Sequence, residues 1–134
     1  MYNSGANQDE FVANILNFNE KGYFLDIGSA HYKDSNNTVF FESLKWEGIC
    51  VEFDKKYNDG YYNRKCYYIN QDALNIEYEK LFIEKNTPKI IDYLSLDIDT
   101  LSYDALIKLP FDEYKFKIIT IEHDFRIPKN QVLK

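Results

Sequence analysis

The sequence lacks the features that mark several large classes of protein. No apolar run approaches the roughly 20 residues of a membrane-spanning helix, and the N-terminal stretch MYNSGANQDE is too polar for a signal peptide. The net charge is -6 and no dense run of Lys and Arg occurs. Because neutralising phosphates takes clustered positive charge, nucleic-acid binding is disfavoured. We therefore expect neither a membrane nor a nucleic-acid partner.

Cysteine is also scarce. Only Cys50 and Cys66 occur, with no CxxC motif and no secretory signal. Structural disulfides belong mainly to oxidising compartments. We therefore expect two reduced thiols in a cytoplasmic protein.

The composition that is present is typical of one globular domain. The chain has 134 residues, of which 45% are hydrophobic and 28% charged. These values exclude a disordered chain, and the length leaves no room for a second core. Residues 1–134 are therefore interpreted as a single domain.

Helical and strand patterns alternate along the chain. Apolar runs predict strands, and apolar residues at helical spacing predict the helices between them. Strands are predicted at 23–27, 48–53, 66–69, 90–96 and 116–121, and helices at 9–18, 38–44, 76–85 and 102–109. The short connections favour right-handed crossovers. We therefore predict an α/β fold with a doubly wound, Rossmann-like, mostly parallel sheet.

Polar residues follow the predicted strands at the points where they end. In a parallel sheet these ends share one edge, and ligands bind there near the switch in strand order. The candidates are Asp26 and Gly28 on the first strand, Glu52 on the second, Asp72 after the third, Asp97 after the fourth, and Glu122, His123 and Asp124 after the fifth. Strand ends also meet solvent, so each residue has an alternative interpretation as an ordinary surface group.

The spacing of these residues favours an adenosine-containing cofactor without phosphate. Glu52 follows the Gly28 loop at the distance at which an acidic residue suits the two hydroxyls of a ribose. A dinucleotide site needs GxGxxG, but Gly28 is followed by SAHYK, and no Walker-type GxxxxGK occurs. An edge rich in carboxylates suits a sulfonium or an amino group better than a diphosphate. S-adenosylmethionine is therefore the predicted cofactor.

Six ordered segments carry a resemblance to a known family. They read NQDEFV from position 7, GYFLDIG from 22, NNT and then FE from 36, WEGICVE from 46, IDYLSLDID from 91 and ITIEHD from 119. With these segments the sequence resembles the FkbM-type methyltransferases, which use S-adenosylmethionine to methylate hydroxyl oxygens, often on sugars or natural products. The resemblance covers nearly the whole chain and implies a class I methyltransferase domain.

The sequence departs from the family pattern in several places. Tyr32 stands where the family usually carries a second Gly, and Asp99-Thr100 stands where it carries Glu-Gly. The family fold continues through two further strands after the fifth, and we expect these last two strands to be missing here. We therefore expect the hydrophobic edge of strand five to allow a homodimer.

The resemblance also implies which residues hold the cofactor. Glu52 would bind the ribose hydroxyls, and Asp72 is the candidate for the adenine amino group. Asp26 and the Gly28 backbone would hold the amino-acid end, and Ser29 is a further cofactor-binding candidate. Glu42, which belongs to a matched motif, is interpreted as a helix-terminal charge.

The acceptor side is assigned in the same way. Asp97, which also borders the cofactor, would face the acceptor together with Glu122 and His123. One of them would take the hydroxyl proton, and histidine is the side chain whose ordinary pKa best suits that step. In the alternative, Asp97, Glu122 and Asp124 hold Mg²⁺, which lowers the pKa of the acceptor hydroxyl.

Two functions follow from this reading. The first is an O-methyltransferase that acts on a hydroxyl of a sugar or small metabolite. The second is a non-catalytic protein of the same fold that binds a partner or a cofactor without turnover. The set of acidic residues at the strand ends favours the first, whereas Tyr32 and the early end of the sequence favour the second.

Overall fold

The computed structural model describes residues 2–5, 7–16 and 21–121, and a five-stranded sheet forms its centre. The strands are β1 (Tyr23–Ile27), β2 (Glu47–Val51), β3 (Tyr67–Ile69), β4 (Ile90–Leu96) and β5 (Lys115–Ile121). They lie in the order β3-β2-β1-β4-β5, and every neighbouring pair is parallel. The chain thus moves outward from β1 in one direction and from β4 in the other. This topology confirms the doubly wound, Rossmann-like α/β fold.

Helices cover both faces of the sheet. In the described ranges, α1 (Gln8–Ile15) and α2 (Val39–Ser43) pack on one face, and α3 (Tyr78–Glu84) and α4 (Ser102–Leu106) pack on the other. Short 3-10 turns form at Lys55–Tyr57, Tyr61–Asn63, Ala73–Asn75 and Asp99–Leu101. None of the helices in this part of the chain has the length and apolar character needed to cross a membrane.

Side chains of β1 alternate between two hydrophobic clusters. Leu25 and Ile27 join the cluster that includes α3 and α4, whereas Phe24 joins the cluster that includes α1 and α2. All five residues of β1 are buried, as expected for a central strand covered on both faces. The same alternation directs Asp26 to the Phe24 side of the sheet, beneath helices rather than toward solvent.

Element ends differ from the predicted ones where side chains redirect the chain. β1 and β4 have the predicted bounds, but β2 covers 47–51 instead of 48–53. The Glu52 amide still donates to the Ile69 carbonyl oxygen of β3 at 3.0 Å, and the chain leaves the sheet after it. The Glu52 side chain bonds two loop amides. The predicted helix at 102–109 is helical only to Leu106, and turns complete it before Pro110.

Candidate functional site

The carboxyl ends of β1, β2 and β4 form one continuous edge, which we call the carboxyl edge and define by residues 28–30, 52 and 97. Backbone hydrogen bonds join the three strand ends beyond the regular ladder. The amides of Gly28 and Ser29 donate to the Val51 carbonyl oxygen, at 2.8 and 3.2 Å, and the Asp97 amide donates to the Ile27 carbonyl oxygen at 2.9 Å. The edge therefore lies at the switch in strand order, where doubly wound sheets bind ligands.

Gly28 is needed at this edge because the backbone of Asp97 lies against it. Its φ is 81°, and a Cβ atom added there would lie 2.1 Å from the Asp97 carbonyl oxygen. Both the conformation and the missing side chain are thus required by the protein itself. The glycine signal in the sequence was correctly placed, but its immediate cause is a neighbouring strand end.

Glu52 ties the loop after β1 to the segment after β2. Its Oε1 accepts a hydrogen bond from the Ala30 amide at 2.8 Å, and its Oε2 accepts one from the Asp54 amide at 2.8 Å. A carboxylate offers about four lone-pair positions. Because each oxygen uses one of them here, this half-buried carboxylate keeps capacity for further donors.

Asp26 lies beneath the edge and not at its surface. Its side chain is buried, and Oδ2 accepts a hydrogen bond of 2.6 Å from the Thr38 hydroxyl. Burial raises the pKa of this carboxyl from 3.8 to about 6, against the opposing effects of the Thr38 hydrogen bond and the Arg64 charge. The charge of Glu52 contributes to this rise in pKa, so the two carboxylates lie within electrostatic reach of each other.

Arg64 is a central residue of this region, and no local sequence pattern pointed to it. Its Nε lies 2.7 Å from Oε2 of Glu42, in an ion pair that is almost fully buried. The guanidinium also donates to the Tyr32 carbonyl oxygen at 3.0 Å and to the Thr38 hydroxyl at 3.2 Å. Glu42 is therefore more than a helix-terminal charge, because it anchors the group that organises the loop after β1.

A cluster of amide and hydroxyl side chains links the same loop to α2. The Asn36 side chain donates to the carbonyl oxygens of Ser29 and His31 and accepts from the Thr38 and Val39 amides. These bonds fix the chain between the edge and the start of α2. The NNT segment at 36–38 carried this signal in the sequence, where it served only to support the family resemblance.

Two tyrosines join the loop after β1 to the segment between β2 and β3: Tyr61 belongs to that segment, and Tyr32 belongs to the loop. The Tyr61 hydroxyl lies 2.7 Å from both the Ser29 hydroxyl and the Ala30 carbonyl oxygen, so it can bond to each. The Tyr32 ring lies against Gly60, where an added Cβ would come within 2.2 Å of it. Ser29 is buried by these contacts, and its polar groups are bonded within the chain.

The remaining predicted residues are placed only in part. Asp72 caps the 3-10 turn at Ala73–Asn75 by accepting from the Leu74 amide at 3.0 Å. Glu122, His123 and Asp124 lie outside the described residues, so the predicted proton acceptor and Mg²⁺ ligands stay predictions. Within 2–5, 7–16 and 21–121, no three side chains of His, Cys, Asp and Glu lie together as a metal site would require.

An open cleft of about 510 Å³ lies at the opposite edge of the sheet. It is lined by the amino ends of β1, β2 and β4, including Tyr23, Glu47 and Asp92. Asp92 is already bonded there to the Tyr23 amide and to Lys117. Ligands of doubly wound sheets bind at the carboxyl ends, so we place the candidate site at the carboxyl edge.

Comparisons with protein-family models, curated proteins and solved structures give no significant match for this chain. The candidate site is therefore argued from its own residues and geometry.

Proposed function

We propose that this protein binds S-adenosylmethionine at the carboxyl edge and transfers its methyl group to a hydroxyl of a sugar or small metabolite. The proposal rests on the FkbM-type resemblance together with one observation, the position of Glu52. Glu52 directly follows β2, and its carboxylate lies beside the loop after β1 and keeps lone pairs for further donors. The two hydroxyls of a ribose are donors of that kind. We also propose a cytoplasmic location, because Cys50 and Cys66 are free thiols.

The residues at the edge fit the ribose end of the cofactor better than its amino-acid end. The amides of Gly28 and Ser29 are bonded to Val51, and the Ala30 amide is bonded to Glu52. In this arrangement the backbone amides of the loop already donate hydrogen bonds within the protein. Holding the amino-acid end would therefore require the loop to exchange some of these bonds for bonds to the cofactor.

Bound S-adenosylmethionine would supply a methyl group that its sulfonium already activates, so most of the catalysis would come from positioning. Glu52 would anchor the ribose hydroxyls. Asp97 follows β4, and its backbone lies directly beside Gly28. The Asp97 carboxylate would accept a proton from the acceptor hydroxyl. His123 and Glu122 keep their proposed roles on the acceptor side.

Asp26 acts as a positioning residue in this proposal. Its carboxylate bonds Thr38 rather than reaching the surface of the edge, and Thr38 is in turn bonded to Arg64. The network therefore sets the shape of the loop on which Ser29 and Ala30 lie. Cofactor contact through Asp26 itself would need a different arrangement of the loop.

A second candidate function, binding without turnover, is favoured by the contacts of Tyr61. Its hydroxyl occupies the polar groups of Ser29 and Ala30 that a cofactor would use. A loop whose polar groups are already hydrogen-bonded within the chain suits a protein that uses the fold for interaction and not for catalysis. Transfer of a labelled methyl group to a mixture of sugars and small hydroxyl compounds separates the two functions, because only the first candidate labels an acceptor.

Titration calorimetry with S-adenosylmethionine tests the proposed site. Glu52→Gln removes one carboxylate oxygen, and we expect it to weaken binding by about 1–3 kcal/mol, the scale for losing a partner of a partly buried polar group. Glu47→Gln is the matched control, because Glu47 is exposed at the opposite end of the same strand. Equal affinities for the two variants would remove Glu52 from the site, and absence of binding at millimolar cofactor would overturn the proposal.

A further inference from the structure

Cys50 and Cys66 bring two thiols together on the face of the sheet that carries Phe24. Their sulfur atoms lie 3.2 Å apart, and neither is part of a disulfide. Both belong to the hydrophobic cluster that includes α1 and α2, where Cys50 is fully buried and Cys66 is partly exposed. At this separation the two sulfur atoms are in direct contact, so the two thiols can react with each other.

Neighbouring parallel strands explain why the two residues meet. Cys50 lies within β2 and is in register with Tyr68 of β3, and Cys66 directly precedes β3 on the same face. A disulfide bond needs the sulfur atoms about 2.0 Å apart. Because Cys66 lies outside the paired part of β3, a three-residue strand at the edge of the described sheet, its backbone can move the remaining distance without breaking the ladder.

We propose that Cys50 and Cys66 are a redox-modification site, which a small-molecule disulfide of the glutathione class converts reversibly to an intramolecular disulfide. The inference is independent of the proposed methyltransferase function, since it uses neither the cofactor nor Glu52. Transient disulfides of this kind are the form in which cysteine pairs act in reducing compartments.

The reaction proceeds by two exchanges. The Cys66 thiolate attacks one sulfur of oxidised glutathione, so the glutathione S–S bond breaks and one reduced glutathione leaves. The Cys50 thiolate then attacks the Cys66 sulfur of the mixed disulfide and releases the second reduced glutathione. The two cysteines lose two electrons to glutathione, and the leaving thiolates take up the two protons.

The order of attack follows from burial. Cys50 has no exposed surface, and burial together with the neighbouring Cys66 raises the pKa of its thiol well above the ordinary range. Cys66 is the sulfur that a reagent can reach. The Arg64 guanidinium, whose Nη2 lies 3.7 Å from the Cys50 sulfur, would favour the thiolate in the second step.

The disulfide would close a loop that contains Tyr61 and Arg64, the two residues that hold the loop after β1. Cross-linking restricts the unfolded chain, so the oxidised protein should be the more stable form. The redox state would thereby alter the rigidity of the segment that supports the carboxyl edge.

The test uses the whole chain in glutathione buffers. Reduced protein is equilibrated with rising ratios of oxidised to reduced glutathione, its free thiols are counted with a maleimide label after denaturation, and its intact mass is measured. The same titration is repeated in urea that unfolds the chain. We expect the native protein to lose both thiols together and its mass to fall by two hydrogens. The effective concentration of one thiol at the other should be about tenfold or more higher in the native protein than in the unfolded chain.

Single variants test the order of attack. Cys50→Ser should accumulate a glutathione adduct at Cys66, whereas Cys66→Ser should leave native Cys50 unmodified over the same period. A persistent adduct in the wild-type protein, a disulfide between two chains, or an effective concentration no higher in the native state would overturn the proposal. So would rapid modification of Cys50 in native Cys66→Ser. The comparison of native and unfolded wild-type protein remains decisive if a variant does not fold.

Discussion

Asp26 is a carboxyl group in the interior, bonded by the hydroxyls of Thr38 and Ser95 and partly compensated by the Arg64 guanidinium. Its raised pKa means that the folded protein binds a proton more tightly at this group than the unfolded chain does. Between pH 3.8 and about pH 6, the native state therefore binds more protons at Asp26 than the unfolded state does. The free energy of unfolding should fall as the pH rises through this window and level off above it.

Asp26→Asn removes this titration while keeping the shape of the side chain. We expect the stability of the variant relative to wild type to rise by about 2 kcal/mol as the pH increases from about 4 to about 7. Urea unfolding of both proteins across this pH range measures the difference in their free energies of unfolding. The contributions of the other titrating groups cancel in that difference. A difference that does not change with pH would contradict the assignment of a buried, protonatable Asp26.

Gly28 sets the contact between the ends of β1 and β4. Gly28→Ala would combine a left-handed φ with a Cβ placed 2.1 Å from the Asp97 carbonyl oxygen. We expect a loss of about 2–4 kcal/mol in the free energy of unfolding. Gly5→Ala is the control, since its Cβ would meet the Ser35 hydroxyl oxygen at an ordinary 3.6 Å. Similar stabilities of the two variants would show that the β1–β4 contact is looser than described.

At the scale of elements, the buried pair of Glu42 and Arg64 joins α2 to the segment between β2 and β3. Removing one partner leaves the other charge buried without compensation, which typically costs about 3–5 kcal/mol. We expect Arg64→Met to show a loss of this size in urea unfolding. The double variant with Glu42→Gln should recover part of it, because Glu42 is then no longer a buried charge without a partner. Recovery should be incomplete, since Asp26 also loses the compensating charge of Arg64.

The exposed pair of Lys56 and Asp54 provides the comparison. Its two side chains are 67% and 50% exposed and their charged atoms lie 3.8 Å apart, so Lys56→Met should cost less than about 1 kcal/mol. If Arg64→Met were equally mild, the account of the segment as a support for the loop would fail.

The elements also show what the sequence could predict. β1 and β4 read as near-continuous apolar runs, and such runs mark buried parallel strands. Strand-end reasoning likewise placed Gly28, Glu52 and Asp97 at one edge. The support beneath that edge was not predictable, because Arg64 bonds partners 22 to 32 residues away. Local patterns carry no signal for contacts of that separation, and the burial of Asp26 was hidden in the same way.

For the whole molecule, the sheet order places two different edges within reach of a ligand. The carboxyl edge carries Glu52 and the loop after β1, whereas the amino edge carries the open cleft with Tyr23 and Glu47. We propose the carboxyl edge as the cofactor site. A homodimer through β5, the outermost strand on its side of the described sheet, stays a prediction.

The most direct test is the response of backbone amides to S-adenosylmethionine in two-dimensional ¹H–¹⁵N NMR spectra. Ala30 and Asp54 donate their amide protons to the two oxygens of Glu52, so ribose hydroxyls arriving at this carboxylate should shift both signals. Amides at the amino edge, such as those of Tyr23 and Glu47, should stay in place. Shifts confined to the amino edge, or unchanged spectra at saturating cofactor, would contradict the account.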